Sequence, residues 1–188
     1  MTANNKLPTI SEGDLTSLMN ELDVTSDIAN TLANEISEKC TSSLDAYIHY
    51  VSEELRTTQS LSNDQLDKFI LNLPIYIYYA SSAIESLGIK EDVASISKKR
   101  QITKQLEEMK QNNVGGTAAS RAAVAEINCT DDVLINSIYS SAYKIAKSKI
   151  EFAYEVLASC KKVMSRRIEE LKAFNSDTKR NSGNKQDY

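Results

Sequence analysis

The sequence predicts an all-α protein: long antiparallel helices in a bundle, a very long C-terminal helix, and disordered termini. Three observations lead there. Only five Gly and two Pro interrupt 188 residues. Ala, Ser, Leu, Ile, Lys and Glu are abundant, a composition suited to helices more than to short strands. Apolar residues recur at steps of three and four over long stretches, as an amphipathic helix requires. With 41% hydrophobic residues, the chain can bury a core, so wholesale disorder is excluded.

Residues 1–10 read as a flexible start. Ser11, followed by Asp14 three positions later, resembles a helix cap ahead of Leu15, Leu18, Met19 and Leu22. "DVTSD" (23–27) then predicts a break and a restart, with Thr25 or Ser26 as the new cap. Ile28, Leu32, Ile36, Cys40, Leu44, Tyr47, Ile48, Val51 and Leu55 form the stripe of the next helix, to about residue 57. Ser62 with Gln65 is a capping box that opens another helix, carrying Leu66, Phe69, Ile70 and Leu73. Pro74 predicts a kink or a division there, and Gly88 a helix C-terminus.

Glu91 and Asp92 start a further helix, where acids suit the N-terminal dipole. Its stripe is Val93, Ile96, Ile102, Leu106 and Met109, with Lys98, Lys99 and Lys104 mostly off it and Arg100 nearer its edge. "QNNVGGTAAS" reads as a flexible loop, and 118–127 as a short Ala-rich helix. Thr130 caps the last pattern, through Asp131 and Asp132, with Leu134, Ile138, Ala142, Ile145, Phe152, Ala153, Val156, Cys160, Val163 and Leu171 at helical spacing to about Phe174. Some 40 residues of helix reach about 60 Å, longer than a compact domain of this size, which predicts packing against more than its own chain. Residues 175–188 have nothing to bury and read as a disordered tail.

Charge divides the chain. Residues 1–92 carry 5 Lys/Arg against 15 Asp/Glu, whereas residues 93–188 carry 17 against 11. The organisation expected is therefore an acidic helical region, 11–88, and a basic helical region, 89–174. Opposite-sign halves suit either an anionic partner or pairing between subunits.

No motif supports an enzyme. His49 is the lone histidine and has no second one for a metal site or a triad. Gly115-Gly116 lacks the surrounding pattern of a phosphate loop. Glu53-Glu54 and Asp131-Asp132 are adjacent, so each pair points to different helix faces. Cys40, Cys129 and Cys160 have no metal-ligand spacing and read as free thiols of a reducing compartment. No cofactor and no metal are expected. Residues 1–20 lack a signal-peptide pattern, and "FILNLPIYIYYA" (69–80) is too short for a membrane span and holds Asn72 and Pro74. A cytoplasmic protein with no membrane role is the expectation.

Two basic clusters remain. The first is Lys98, Lys99, Arg100 and Lys104; the second runs along the last helix as Lys144, Lys147, Lys149, Lys161, Lys162, Arg166, Arg167 and Lys172. Each is either a solvated face, with Glu107 and Glu108 as partners for the first, or an anion-binding surface. Lys147, Lys161 and Lys172 project at nearby angles, because gaps of 14 and 11 are near whole turns. Glu151, Glu155, Glu169 and Glu170 dilute that stripe. Tyr139, Tyr143 and Tyr154 either stack on bases or pack in the core, and packing fits Tyr76, Tyr78 and Tyr79 better still.

The segment 130–174 resembles the C-terminal helix of phage UvsY-type recombination mediators. The residues concerned are Lys149-Ile150-Glu151-Phe152, matching a Lys-Ile-aromatic segment, and Ser165-Arg166-Arg167-Ile168, matching a Ser-Arg-bearing end. Upstream, the basic helix 91–112 with Lys98 and Lys99, then the glycines at 115–116, resembles that family's basic helix and glycine loop. The likeness covers roughly 75–174. Two features depart from the family: the acidic region 11–73 is longer, and Lys98-Lys99-Arg100 with Lys104 stands where the family carries a Lys-x-Arg pair further along. The resemblance implies a homo-oligomer that binds single-stranded DNA and helps load a strand-exchange recombinase onto DNA covered by single-strand DNA-binding protein. In a phage-encoded protein this places it in the host cytoplasm. The expected phosphate contacts are Lys98, Lys99, Arg100, Lys104, Lys161, Lys162, Arg166 and Arg167. The alternative is a self-assembling helical scaffold, also phage-derived, in which basic and acidic halves of neighbouring subunits pair without nucleic acid.

Overall fold

The computed structural model describes residues 12–57 and 61–183. It is all-α, with α1 (Glu12–Thr57), α2 (Asn63–Gln111), α3 (Ala118–Asn128) and α4 (Thr130–Gly183), and no strand occurs among the described residues. The expected Ser11 cap, the 1–10 segment and residues 184–188 lie outside the described residues.

Three helices are longer than their local signals predict. α1 runs unbroken for 46 residues through 23–27, because extending a helix is far easier than nucleating one and neither Gly nor Pro interrupts that stretch. Just beyond it, Thr31 Oγ1 donates back to the Asp27 carbonyl at 2.8 Å within the continuing helix. α2 spans 49 residues with Pro74 inside it. The proline withholds an N–H from the Ile70 carbonyl but does not divide the helix. Gly88 and the Glu91-Asp92 pair, read as a stop and a start, are interior positions of α2. α4 spans 54 residues and ends at Gly183, nine residues beyond the expected end at Phe174. At 1.5 Å per residue it reaches about 81 Å.

The local signals that do hold are side-chain caps. At the start of α2, the Ser62 N–H donates to Gln65 Oε1 at 3.0 Å and the Gln65 N–H donates to Ser62 Oγ at 3.2 Å. Two N–H groups that the first turn leaves unpaired are thereby satisfied. Thr117 caps α3 by accepting from the Ser120 N–H. α2 stops in a Schellman motif rather than a loose loop: the Val114 N–H reaches the Met109 carbonyl at 3.0 Å, the Asn113 N–H reaches Lys110, and Asn113 holds φ 51°. Thr130 is not a cap. Its hydroxyl donates back to the Ile127 carbonyl, while the Cys129 carbonyl takes the Val133 N–H.

The chain forms two compact units, one combining Met1–Ile36 with Lys90–Ala142, the other Ser37–Ile89 with Tyr143–Tyr188. The second holds the larger apolar core. Leu44 and Ile48 of α1 meet Leu73, Ile77 and Ala80 of α2 and Ala153 and Leu157 of α4. One layer further, Val51 meets Leu61, Leu66 and Phe69, and Cys160 of α4. On α2 the buried series Leu66, Phe69, Leu73, Ile77, Ala80, Ile84, Leu87 advances by about 3.5 residues per step, the spacing of knobs-into-holes packing. Tyr47 stacks on Tyr76 at 4.4 Å between ring centroids, and burial raises the Tyr47 hydroxyl pKa.

In the first unit the buried residues are small or few: Ala33, Ala94, Met109, Ala125, Cys129, Ile138 and Ala142. Ile28, Leu32, Val93 and Ile96, expected in the core, are exposed. On α2 the inward stripe passes instead through Ala94, Lys98, Ile102, Leu106 and Met109, all buried or half-buried. Phe152 on α4 and Tyr78 and Tyr79 on α2, likewise expected to pack, are also exposed.

Candidate nucleic-acid interface

The 98–104 block belongs to the first unit and residues 161–167 to the second. In the first unit α2 turns Lys99, Arg100 and Lys104 outward, where with Ile96, Thr103 and Glu107 they line a shallow groove. Arg100 and Lys104 are four apart, so two like charges stand side by side on one face. Only Lys104 finds an acid among the described residues, Glu108 at 3.9 Å. That is the reverse of the favourable acid-before-base order on a helix. Lys98 differs from its neighbours. It is half-buried on the packing stripe, beside Ser97, whose hydroxyl donates to Asp132 Oδ1 of α4 at 3.1 Å.

In the second unit, α4 presents Lys144, Lys147, Lys161, Lys162, Arg166 and Lys172 to solvent. Lys147, Tyr154 and Lys161 follow one another at intervals of seven residues, hence lie on one face, each about 10 Å from the next. All three are exposed, so an aromatic ring lies between two cations. The periodicity of 14 pointed to the lysines; the tyrosine between them was legible only once its ring was known to face outward.

The remaining predicted phosphate-binding residues are partly committed elsewhere. Arg166 Nε binds Glu170 Oε1 at 2.8 Å, an exposed pair one helical turn apart that a competing phosphate can displace. Arg167 is half-buried, and its Nη1 donates to the Leu61 carbonyl and, at 3.1 Å, to Asn63 Oδ1. It fastens the segment entering α2 to α4. Lys149, prominent in the family likeness, is likewise turned inward. Its ammonium donates to Asp45 Oδ2 at 2.6 Å and to Thr41 Oγ1 at 3.2 Å. Thr41 in turn donates to Asp45 Oδ2 at 2.8 Å.

The charge balance follows the same packing. Residues 37–89 carry 3 Lys/Arg and 7 Asp/Glu, and residues 143–188 carry 11 and 6. Acidic α1 and α2 segments thus share a unit with the basic α4 segment of the same chain. His49 stands in a shallow depression with Ser52, Ser148 and Phe152, beside the Lys149–Asp45 pair. Among the described residues no group of His, Cys, Asp or Glu is placed to hold a metal ion, and no helix is long and apolar enough to cross a membrane.

Compared with protein-family models, with curated proteins and with solved structures, the chain finds no match. The fold and the exposed basic rows define its class: an all-α protein with cationic helix faces. A functional reading therefore rests on these residues.

Proposed function

We propose that this is a non-enzymatic, single-stranded DNA-binding recombination mediator, one that helps load a strand-exchange recombinase. The observation that carries the reading is the Lys147–Tyr154–Lys161 row. Single strands are held by cations that track the phosphates and by aromatic faces on which bases stack. A row with a ring between two ammonium groups offers both on one helix face. The Lys99, Arg100 and Lys104 face adds a second cationic surface, Lys172 extends the first, and Lys162 and Arg166 stand on other sides of the same helix. The recombinase and the single-strand DNA-binding protein enter as partners through the family likeness alone.

A scaffold without nucleic acid is the second reading, and the exposed apolar residues of α2 are the observation in its favour. Its electrostatic form is weakened, because the basic α4 segment already has acidic partners within its own unit, as in Lys149–Asp45.

Fluorescence anisotropy of a labelled single-stranded oligonucleotide, titrated at several salt concentrations, tests the proposal. Binding should weaken steeply as salt rises. Lys147→Glu with Lys161→Glu should lower the logarithmic salt slope by about 1.4, at about 0.7 for each phosphate no longer neutralised. Tyr154→Ala should cost roughly 1–3 kcal/mol of affinity with the slope unchanged. Reversing Lys161 and Arg166 together should also weaken binding without unfolding the chain. No binding by the folded protein at low salt would sink the reading and leave the scaffold in front.

A further inference from the structure

α2 carries a second stripe besides the one buried in the core. Lys68, Leu71, Ile75, Tyr78, Ser82, Glu85 and Ile89 alternate in steps of three and four, and every one of them is exposed. Leu71 is 69% exposed, Ile75 52% and Tyr78 70%. Exposed Tyr79 flanks the stripe and meets Tyr78 edge to face, with ring centroids 5.6 Å apart. This is a coiled-coil seam with no partner among the described residues of its unit. Three consecutive exposed apolar positions on one helix face, Leu71, Ile75 and Tyr78, flanked by polar ones, mark an interaction site rather than scattered surface residues.

The seam is symmetric in a way that selects its partner. From Lys68 to Glu85 its spacing reads the same from either end about a point between residues 76 and 77, and Ile89 falls opposite Asp64, outside the symmetric part. Inverted on itself there, the helix sets Ile75 opposite Tyr78, Leu71 opposite Ser82, and Lys68 opposite Glu85. Each layer then pairs an a-type with a d-type position, as antiparallel coiled coils require. The single cation and single anion inside the seam fall at equal distances from the centre, so each Lys68 meets a Glu85 and the pair occurs twice. That charge complementarity between two positions of one helix suits an isologous twofold contact, in which residue i of one copy meets residue j of the other and the pair is made twice. We infer that the 68–85 face of α2 is a homodimer interface, in which a second copy of this chain lies antiparallel across Ile75 and Tyr78.

The size of the seam sets the expected affinity. From residue 68 to residue 85 it runs about 26 Å, and its apolar centre is Leu71, Ile75 and Tyr78 from each copy. That is a small interface, below about 1,200 Å² in total, where association is weak. Dissociation constants on the order of micromolar are expected. The inference stands apart from the DNA reading, since it uses none of the basic residues of α4.

Sedimentation velocity of the full chain between about 1 and 100 μM tests it. The wild-type chain should pass from monomer to dimer across that range. Lys68→Glu alone, or Glu85→Lys alone, sets like charges against each other twice and should weaken the dimer about tenfold. The double variant K68E/E85K restores opposite charges and should return to the wild-type constant. Ile75→Lys, at the centre, should weaken association roughly a hundredfold; Tyr78→Lys repeats that test should Ile75→Lys lose its fold by circular dichroism. A wild-type monomer at 100 μM, single reversals without effect, or a double variant as weak as the singles would each overturn the interface.

Discussion

Gly88 provides the sharpest test of the packing. It lies inside α2, where a glycine costs about 1 kcal/mol relative to alanine. A Cβ added at this position would stand 3.2 Å from Tyr143 Cε2, 3.7 Å from Cδ2 and 3.8 Å from Cζ. The first distance is a few tenths of an ångström inside the optimum for carbon–carbon contact. Tyr143 is half-buried, so its ring can yield that much, at a cost comparable to the gain in helix propensity. Gly88→Ala should therefore change stability by less than about 0.5 kcal/mol in the wild-type chain. With Tyr143→Ala already in place the ring is absent, and the same substitution should stabilise by about 1 kcal/mol. Urea titrations of the four proteins, followed by circular dichroism at 222 nm, close the cycle. A coupling of at least about 0.5 kcal/mol is expected. Equal stabilisation by Gly88→Ala in both backgrounds would refute the claim that the Tyr143 ring presses on this turn of α2.

Lys149 and Cys160 yield two further expectations. Lys149→Met should destabilise by about 1–2 kcal/mol, because Asp45 and Thr41 lose a cation in a site only about a third exposed. Asp45→Asn in that background should add little, and a melt of the double variant beside the singles checks it. Cys160 is buried, which raises its thiol pKa above the ordinary 9.0. The native chain thus keeps this proton at pH values where the unfolded chain has released it, so the contribution is intact below about 9 and stability falls as pH rises beyond it. Iodoacetamide labelling at pH 8, read by mass spectrometry, should find half-exposed Cys40 modified well before buried Cys129 and Cys160.

The features legible in sequence were those settled within a few residues. The Ser62–Gln65 capping box, the short helix at 118–128 and the acids opening α4 depend on neighbours one turn away. Stop signals were less informative, because Gly88, Pro74 and the hydroxyls at 25–26 end a helix only when nothing rewards continuing it. The basic residues divided along the same line. Exposed Lys99, Lys104 and Lys161 are where the helical wheel puts them, and Arg100, expected nearer the edge of the stripe, is exposed as well. Lys98, Lys149 and Arg167 face inward or bridge elements, and no local signal distinguishes a lysine on a packing stripe from one in solvent.

By itself the sequence determined the helical class and the Ser62–Gln65 box that opens α2, since these follow from composition and spacing along one chain. Only the tertiary structure decided which of two stripes on α2 is buried. Leu66, Leu73 and Ile77, and equally Leu71, Ile75 and Tyr78, satisfy the same 3.5-residue rule. The first set is covered because Leu44, Ile48, Ala153 and Leu157, far away in sequence, complete the layers around it. The second is left facing outward because the described residues of its unit supply no such partners.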